Sequence, residues 1–236
     1  MRLMINFVAG IMCGRVNFSS STETAKRLGV KDSDTPREGD VNGFACKDSY
    51  IFGLADRAPE TLRHFHWPLI PSWSNTYPAY QSHNARSEDM ADKPAYKHLL
   101  GKRHCIIAID GFYEWERSSE KTPWYFSMAD GSLMLLAGLW DYNTRLDAPV
   151  LSCTVITREP NQLVGEVHNR MPVILTRADA DIWLNTQLPY HERAKMLQPI
   201  ENSALLRVEI GKSINKADNK SGDWFNGPDE KPLSLF

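Results

Sequence analysis

The chain has 236 residues and a formal net charge of -2, enough for one large domain or two small ones with a sizeable buried core. Hydrophobic residues make up 42% and charged residues 24%, which excludes a disordered, collagenous or coiled-coil protein. The near-neutral charge also excludes a general basic coat, so any nucleic-acid contact must use positive charge gathered in one local groove.

The apolar stretch Met4–Met12 has one early basic residue, Arg2, and no A-x-A pattern after it, which argues against a signal peptide. It is about half the roughly 20 residues that a transmembrane helix needs. Export and membrane insertion are therefore not expected. Met12 instead looks like a start inside the written chain, and its removal would leave Cys13 as the first residue.

Residues 13–30 read as a short extended piece followed by a helix, with the Ser19–Thr22 cluster as N-cap and Glu23 in the first turn. Residues 31–60 are polar and irregular around strand-like Tyr50–Leu54. His64–Ile70 alternates and predicts a strand, which Pro68 either weakens or places at an edge. Residues 71–80 read as loop, and Glu88–Leu100 as a helix. Cys105–Ile109 predicts a buried strand ending at the turn Asp110-Gly111, with Phe112–Glu116 as the next strand. Trp124–Met128 and Leu133–Leu139 flank Asp130-Gly131, which predicts a hairpin. Val150–Ile156 is a strand and Val173–Leu175 a short apolar piece. Arg177–Leu184 and Tyr190–Leu197 read as helices, and the tail from Lys212 to Phe236 as polar loop. No repeat or low-complexity linker divides the chain. The expected fold class is α+β, one domain with mainly antiparallel pairing.

The cysteines Cys13, Cys46, Cys105 and Cys153 show no CxxC pair and no short spacing. They suggest neither zinc nor a disulfide framework, and point to a reducing, cytosolic compartment. The histidines show no H-x-x-x-H spacing, so no metal is expected. Four segments could carry chemistry: Cys13-Gly14-Arg15, Asn84-Ala85-Arg86, Gly111 to Trp115, and His168 to Pro172. As an N-terminal residue, Cys13 would offer both an amine and a thiol, which together capture an aldehyde as an imine and then a thiazolidine ring. A lone cysteine is otherwise more often a buried structural one. Asn84 suits a carbonyl or hydroxyl, and Arg15 and Arg86 suit phosphate. Glu114, framed by Phe112, Tyr113 and Trp115, suits acid–base work if it is desolvated, or else is an outward-facing strand carboxylate. His168 suits a proton shuttle or a structural role. Jointly, a Cys, an Asn, a Glu and a His with arginines beside three of them describe an active site near phosphates.

These segments resemble the SRAP (SOS response-associated peptidase) family. The resemblance rests on Met12-Cys13-Gly14-Arg15, WPLIPSW from Trp67 to Trp73, NARSE from Asn84 to Glu88, DGFYEW from Asp110 to Trp115, LAGLWD from Leu136 to Asp141, and VHNRMPVIL from Val167 to Leu175. The chain departs from the family pattern at Gly39–Asp48, at Pro68, which replaces a glycine, and at Asn169, which replaces an aspartate. The resemblance implies one SRAP domain over residues 13–220, with a mainly antiparallel sheet or barrel-like core and flanking helices. A leader at 1–12 would be absent from the mature protein, and 221–236 would be a tail. It also implies covalent trapping of abasic sites in single-stranded DNA through Cys13, with autopeptidase and lyase-like chemistry and no cofactor. Asn84, Glu114 and His168 would be the other catalytic residues. Arg15, Trp67, Trp73, Arg86 and Arg170 would contact DNA. The protein would act as a monomer in the cytoplasm, at the nucleoid when on DNA. A thiol peptidase acting on other proteins and a non-catalytic single-stranded DNA-binding module are the rival functions.

Overall fold

The computed structural model describes residues 14–33, 40–44, 50–78 and 83–215. Cys13 and Cys46, the 1–12 leader and the 221–236 tail lie outside the described residues. β1 (Arg15–Phe18) leads into α1 (Ser21–Leu28). The Ser20 hydroxyl caps that helix by accepting the Glu23 N–H, and Gly29 ends it in a left-handed conformation, as the sequence cues require. β2 (Asp40–Phe44), β3 (Tyr50–Ala55), β4 (Ala58–His66) and β5 (Asn84–Arg86) follow. Next come β6 (His104–Ile109), β7 (Gly111–Trp115), β8 (Pro123–Met128), β9 (Met134–Asn143) and β10 (Val150–Arg158). The last part holds α2 (Gln162–Gly165), β11 (Met171–Pro172), β12 (Ile174–Leu175), α3 (Arg177–Leu184), α4 (Tyr190–Arg193) and β13 (Leu205–Glu209).

The strands form two sheets. The first runs β13-β8-β7-β1-β2, all antiparallel. In the second, β10, β4, β3, β6 and β9 pair in a closed ring, because β10 hydrogen-bonds both β9 and β4. The α+β class and the barrel-like core are thus what the structure has. One hydrophobic cluster fills the ring and the space between the sheets, with Phe112 of β7 stacked on Phe126 of β8 at 4.9 Å. Strand alternation sends the intervening Tyr113 and Tyr125 to the other face, where Ile210 and Ile214 cover them. The α3 helix docks on the ring through Trp183, whose indole N–H donates to the Cys105 carbonyl at 2.9 Å.

Three expectations fail. Glu88–Leu100 forms successive turns rather than a helix. Pro94 sits in its middle, lacks an N–H and disfavours helical geometry at Lys93. Asp92, Lys93, Tyr96 and Leu99 accordingly donate three residues back, to Asp89, Met90, Lys93 and Tyr96. Asp130-Gly131 does reverse the chain, with Gly131 at φ 71°, but β8 and β9 do not pair. The edges of β9 are taken by β6 and by β10 and β12, so β8 pairs with β7 and β13 in the other sheet. The strand predicted at His64–Ile70 ends at His66 and begins earlier, at Ala58. Strand β13, for its part, was not foreseen.

The turn from β6 into β7 carries the chain from one sheet to the other, and it needs a glycine. A Cβ on Gly111 would lie 2.4 Å from both the Tyr125 hydroxyl and the Phe126 carbonyl oxygen. One contact is backbone within the sheet, so it cannot swing aside. Gly111→Ala should therefore destabilise the fold by about 1–3 kcal/mol or more through overpacking. Chemical denaturation would read this as a lower midpoint, and an unchanged midpoint would refute the close approach.

Candidate functional site at the ends of β7 and β10

β10 organises one half of the site. On one edge it holds β5 in parallel, with Val155 level with Asn84 and Thr157 level with Arg86. On its other edge, past the end of β9, it holds β11, with Thr157 level with Pro172 and Arg158 with Met171. Asn84 and Arg86 therefore emerge on one side of β5, half-buried and exposed respectively, while Ala85 points into the core. His168 and Arg170 lie just before β11.

Arg170 does not stand free for a phosphate. Its guanidinium grips Glu88 in a two-pronged pair, 2.6 Å from Nη1 to Oε1 and 2.8 Å from Nη2 to Oε2, and Nη2 also donates to the Thr157 carbonyl at 2.8 Å. Hydrogen bonds from Arg170 hold the Glu88 carboxyl down at about 2. The exposed Arg86 stands 3.9 Å from the same carboxylate. The Arg170 backbone N–H donates to Nδ1 of His168 at 3.3 Å, which leaves the other ring nitrogen carrying the proton. Burial pushes the His168 imidazole below its ordinary range, and the nearby Arg117 guanidinium adds to the effect. At neutral pH this histidine is uncharged, with the proton on Nε2 available to donate.

β7 supplies the other half. Glu114 is buried, 3% exposed, and shares the core-facing side of β7 with Phe112. Arg15 is level with Tyr113 by the β1–β7 register, so it leaves the opposite face. There it is buried, its Nη1 donating to the Ile214 carbonyl and its guanidinium lying 5.4 Å from the Trp115 ring centre. Burial lowers its pKa to about 10, so it remains a cation. Arg15 thus ties β1 to the segment that covers the outer sheet face.

Two contacts bring the halves together. Arg117, two residues past β7, lies within electrostatic reach of His168. Arg207 of β13 packs on the Trp124 ring at 4.5 Å, and Trp124 is the register partner of Glu114. The same guanidinium holds Glu166 at 2.7 Å and donates to the Leu163 carbonyl. The His168 N–H then donates to Val164 of α2. Sequence reasoning missed Arg207 because its strand was unrecognised. It missed the role of Glu88 because a bidentate partner 82 residues away leaves no local signal.

The two tryptophans part company. Trp67 is fully buried, with its indole N–H on the His83 carbonyl at 2.8 Å. It offers no ring face to a base and is a core residue, against the expectation that it contacts DNA. Trp73 is 53% exposed on the loop after β4.

The Glu88–Arg170 pair makes a signed prediction. A carboxyl held at about 2 stabilises the fold above its ordinary value near 4.5 and loses that contribution as pH falls toward 2. In Arg170→Met, unfolding free energy should fall less over that interval than in the wild type. Acid titration of denaturant midpoints reads the difference, and identical profiles would show that the pair contributes nothing.

The solved structure of a protein from Bacteroides thetaiotaomicron superposes with a TM-score of 0.76 at 21% identity, covering 89% of this chain and 98% of that one. One from Bordetella bronchiseptica superposes at 0.72 and 24% identity, covering 84% and 99%. In sequence, the chain is 32% identical over 221 residues to abasic site processing protein YoqW of Bacillus subtilis, covering 89% of this chain and 97% of that one. It is 34% identical over 175 residues to abasic site processing protein HMCES of Xenopus tropicalis, covering 63% and 52%. The pattern of the SOS response associated peptidase (SRAP) family matches residues 12–217, and the chain belongs to that family.

Proposed function

We propose that this protein processes abasic sites in single-stranded DNA by capturing them covalently at Cys13. The observation that carries this reading is the pairing of β1 with β7. β1 begins two residues after Cys13, and its partner strand bears the buried carboxylate of Glu114. The names of the relatives, abasic site processing proteins, support the substrate.

The chemistry needs a free amine on Cys13. Initiation at Met12 with loss of that methionine, or self-cleavage ahead of Cys13, would free it. The amine then attacks the aldehyde of the ring-opened sugar, and loss of water leaves an imine. The thiol adds across the C=N bond, a C–S bond forms, the nitrogen takes a proton and a thiazolidine closes. Glu114 moves protons during dehydration, because a buried carboxyl exchanges them without competition from bulk water. Neutral His168, with Nε2 carrying its proton, hydrogen-bonds the sugar hydroxyl and assists ring opening. Asn84 orients the sugar or the cysteine. Exposed Arg86 and Arg117 meet the flanking phosphates, and Trp73 stacks on a base.

The test is a denaturing gel after incubation with a single-stranded oligonucleotide bearing one abasic site. A heat-stable shifted band is expected, lost in Cys13→Ala and not stably closed in Cys13→Ser. Glu114→Gln should slow its appearance by about 10²-fold, the scale of one general acid–base group. Binding that vanishes on denaturation would favour a non-covalent module. Peptide cleavage without a crosslink would favour a thiol peptidase. Mass spectrometry finding Met1 on a protein that crosslinks fully would overturn the need for a free Cys13 amine.

A further inference from the structure

The loop from Ile70 to Ser74 is fastened at four of its five residues by three side chains of the β9–β10 hairpin. The Ser152 hydroxyl accepts the Ile70 N–H at 2.9 Å and donates to the Ile70 carbonyl at 3.3 Å. Asp141 Oδ2 accepts the Ser72 N–H at 2.7 Å. Asn143 Nδ2 donates to the Pro71 carbonyl at 2.7 Å and the Ser74 carbonyl at 2.9 Å. Asp141, Asn143 and Ser152 are all fully buried.

These three are themselves held. Asp141 Oδ1 accepts from its neighbour's backbone, the Tyr142 N–H at 2.8 Å, and from Arg103. Its Oδ2 also faces Nε2 of His98 at 3.3 Å. Asn143 Oδ1 accepts the N–H groups of Arg145 and Leu146. Burying three polar side chains to fix so short a loop is a demanding arrangement, since each must keep its partners. The one residue of the loop that the trio does not touch is Trp73, whose ring is exposed.

We propose that Asp141, Asn143 and Ser152 are positioning residues that preset the Trp73 ring for stacking on an unpaired nucleobase. A ring held in place before contact loses little freedom on binding, so the benefit falls on affinity rather than on the capture chemistry. This rests on the DNA-binding reading of Trp73 given above.

Asn143→Asp is the sharpest variant. It is isosteric and keeps the acceptor for Arg145 and Leu146, but turns two donated bonds into oxygen–oxygen repulsion. Binding is measured by fluorescence anisotropy on a labelled single-stranded oligonucleotide with all bases intact, in the full chain. Trp73→Ala should weaken binding about tenfold, the scale of one base–aromatic stack. Asn143→Asp should weaken it several-fold, and the double variant should bind no worse than Trp73→Ala alone. At saturating abasic oligonucleotide, the crosslinking rate of Asn143→Asp should equal that of the wild type. If Asn143→Asp does not fold, Ser152→Ala, which removes only a hydroxyl, takes its place in the same cycle. Equal losses with and without the Trp73 ring would overturn the proposal, as would wild-type affinity in the released variants or in Trp73→Ala. A wild-type protein that forms no crosslink would instead defeat the abasic-site reading, and the anisotropy cycle stands apart from that outcome.

Discussion

One half of the site hangs on the two-edged hydrogen bonding of β10. One edge pairs with β9 and then β11, the other with β4 and then β5. A strand used on both edges cannot slip register without breaking every neighbour. Its Ser152 end holds the loop that presents Trp73. Its middle, Val155 to Thr157, sets Asn84 and Arg86. Its far end sets Met171 and, through the Thr157 carbonyl, Arg170. At about 3.3 Å per residue, a single straight element thus spaces the candidate contacts along one line.

The second half of the site depends on a different device. β7 belongs to the other sheet, so its position relative to β10 rests on packing and a few side chains rather than on backbone pairing. Arg207 supplies much of that link, joined on one side to Trp124 and on the other to Glu166 and Leu163. The charge is enclosed by an aromatic face, a carboxylate and a carbonyl, a setting that suits arginine's flat, multiply donating group better than a lysine ammonium. A residue that belongs to neither motif thus ties the strand beside β7 to the segment that leads into His168.

The sequence made the strands legible wherever burial is two-sided or alternation is strict. The apolar run at 105–109 and the frame around Glu114 are examples. Local turn chemistry at Asp130-Gly131 predicts a hairpin that does not form, because it fixes a reversal without specifying which strand the chain meets next. That choice was settled by edges already occupied elsewhere in β9. The same limit applied to the arginines. Residue type marks Arg15, Arg86 and Arg170 alike as phosphate ligands, and only the fold separates them. Arg86 is exposed, Arg170 is spent on Glu88, and Arg15 is buried against Trp115 and Ile214. Trp67 and Trp73 sit six residues apart in one motif and end in opposite environments.

That sorting bears on the chain's charge of -2. With Arg15 and Arg170 committed to the protein itself, the cations left among the described residues to face a phosphate backbone around the site are few, chiefly Arg86 and Arg117. Each phosphate neutralised releases counterions and supplies affinity that salt removes. A protein that relied on this alone would need a broad basic surface, which a net charge of -2 does not favour. The arrangement instead fits a division of labour. On the function proposed above, a small number of exposed charges and one presented aromatic ring would orient the strand, and a bond to Cys13 would supply the retention that electrostatics does not. Under that reading, the modest net charge follows from the chemistry rather than standing against nucleic-acid binding.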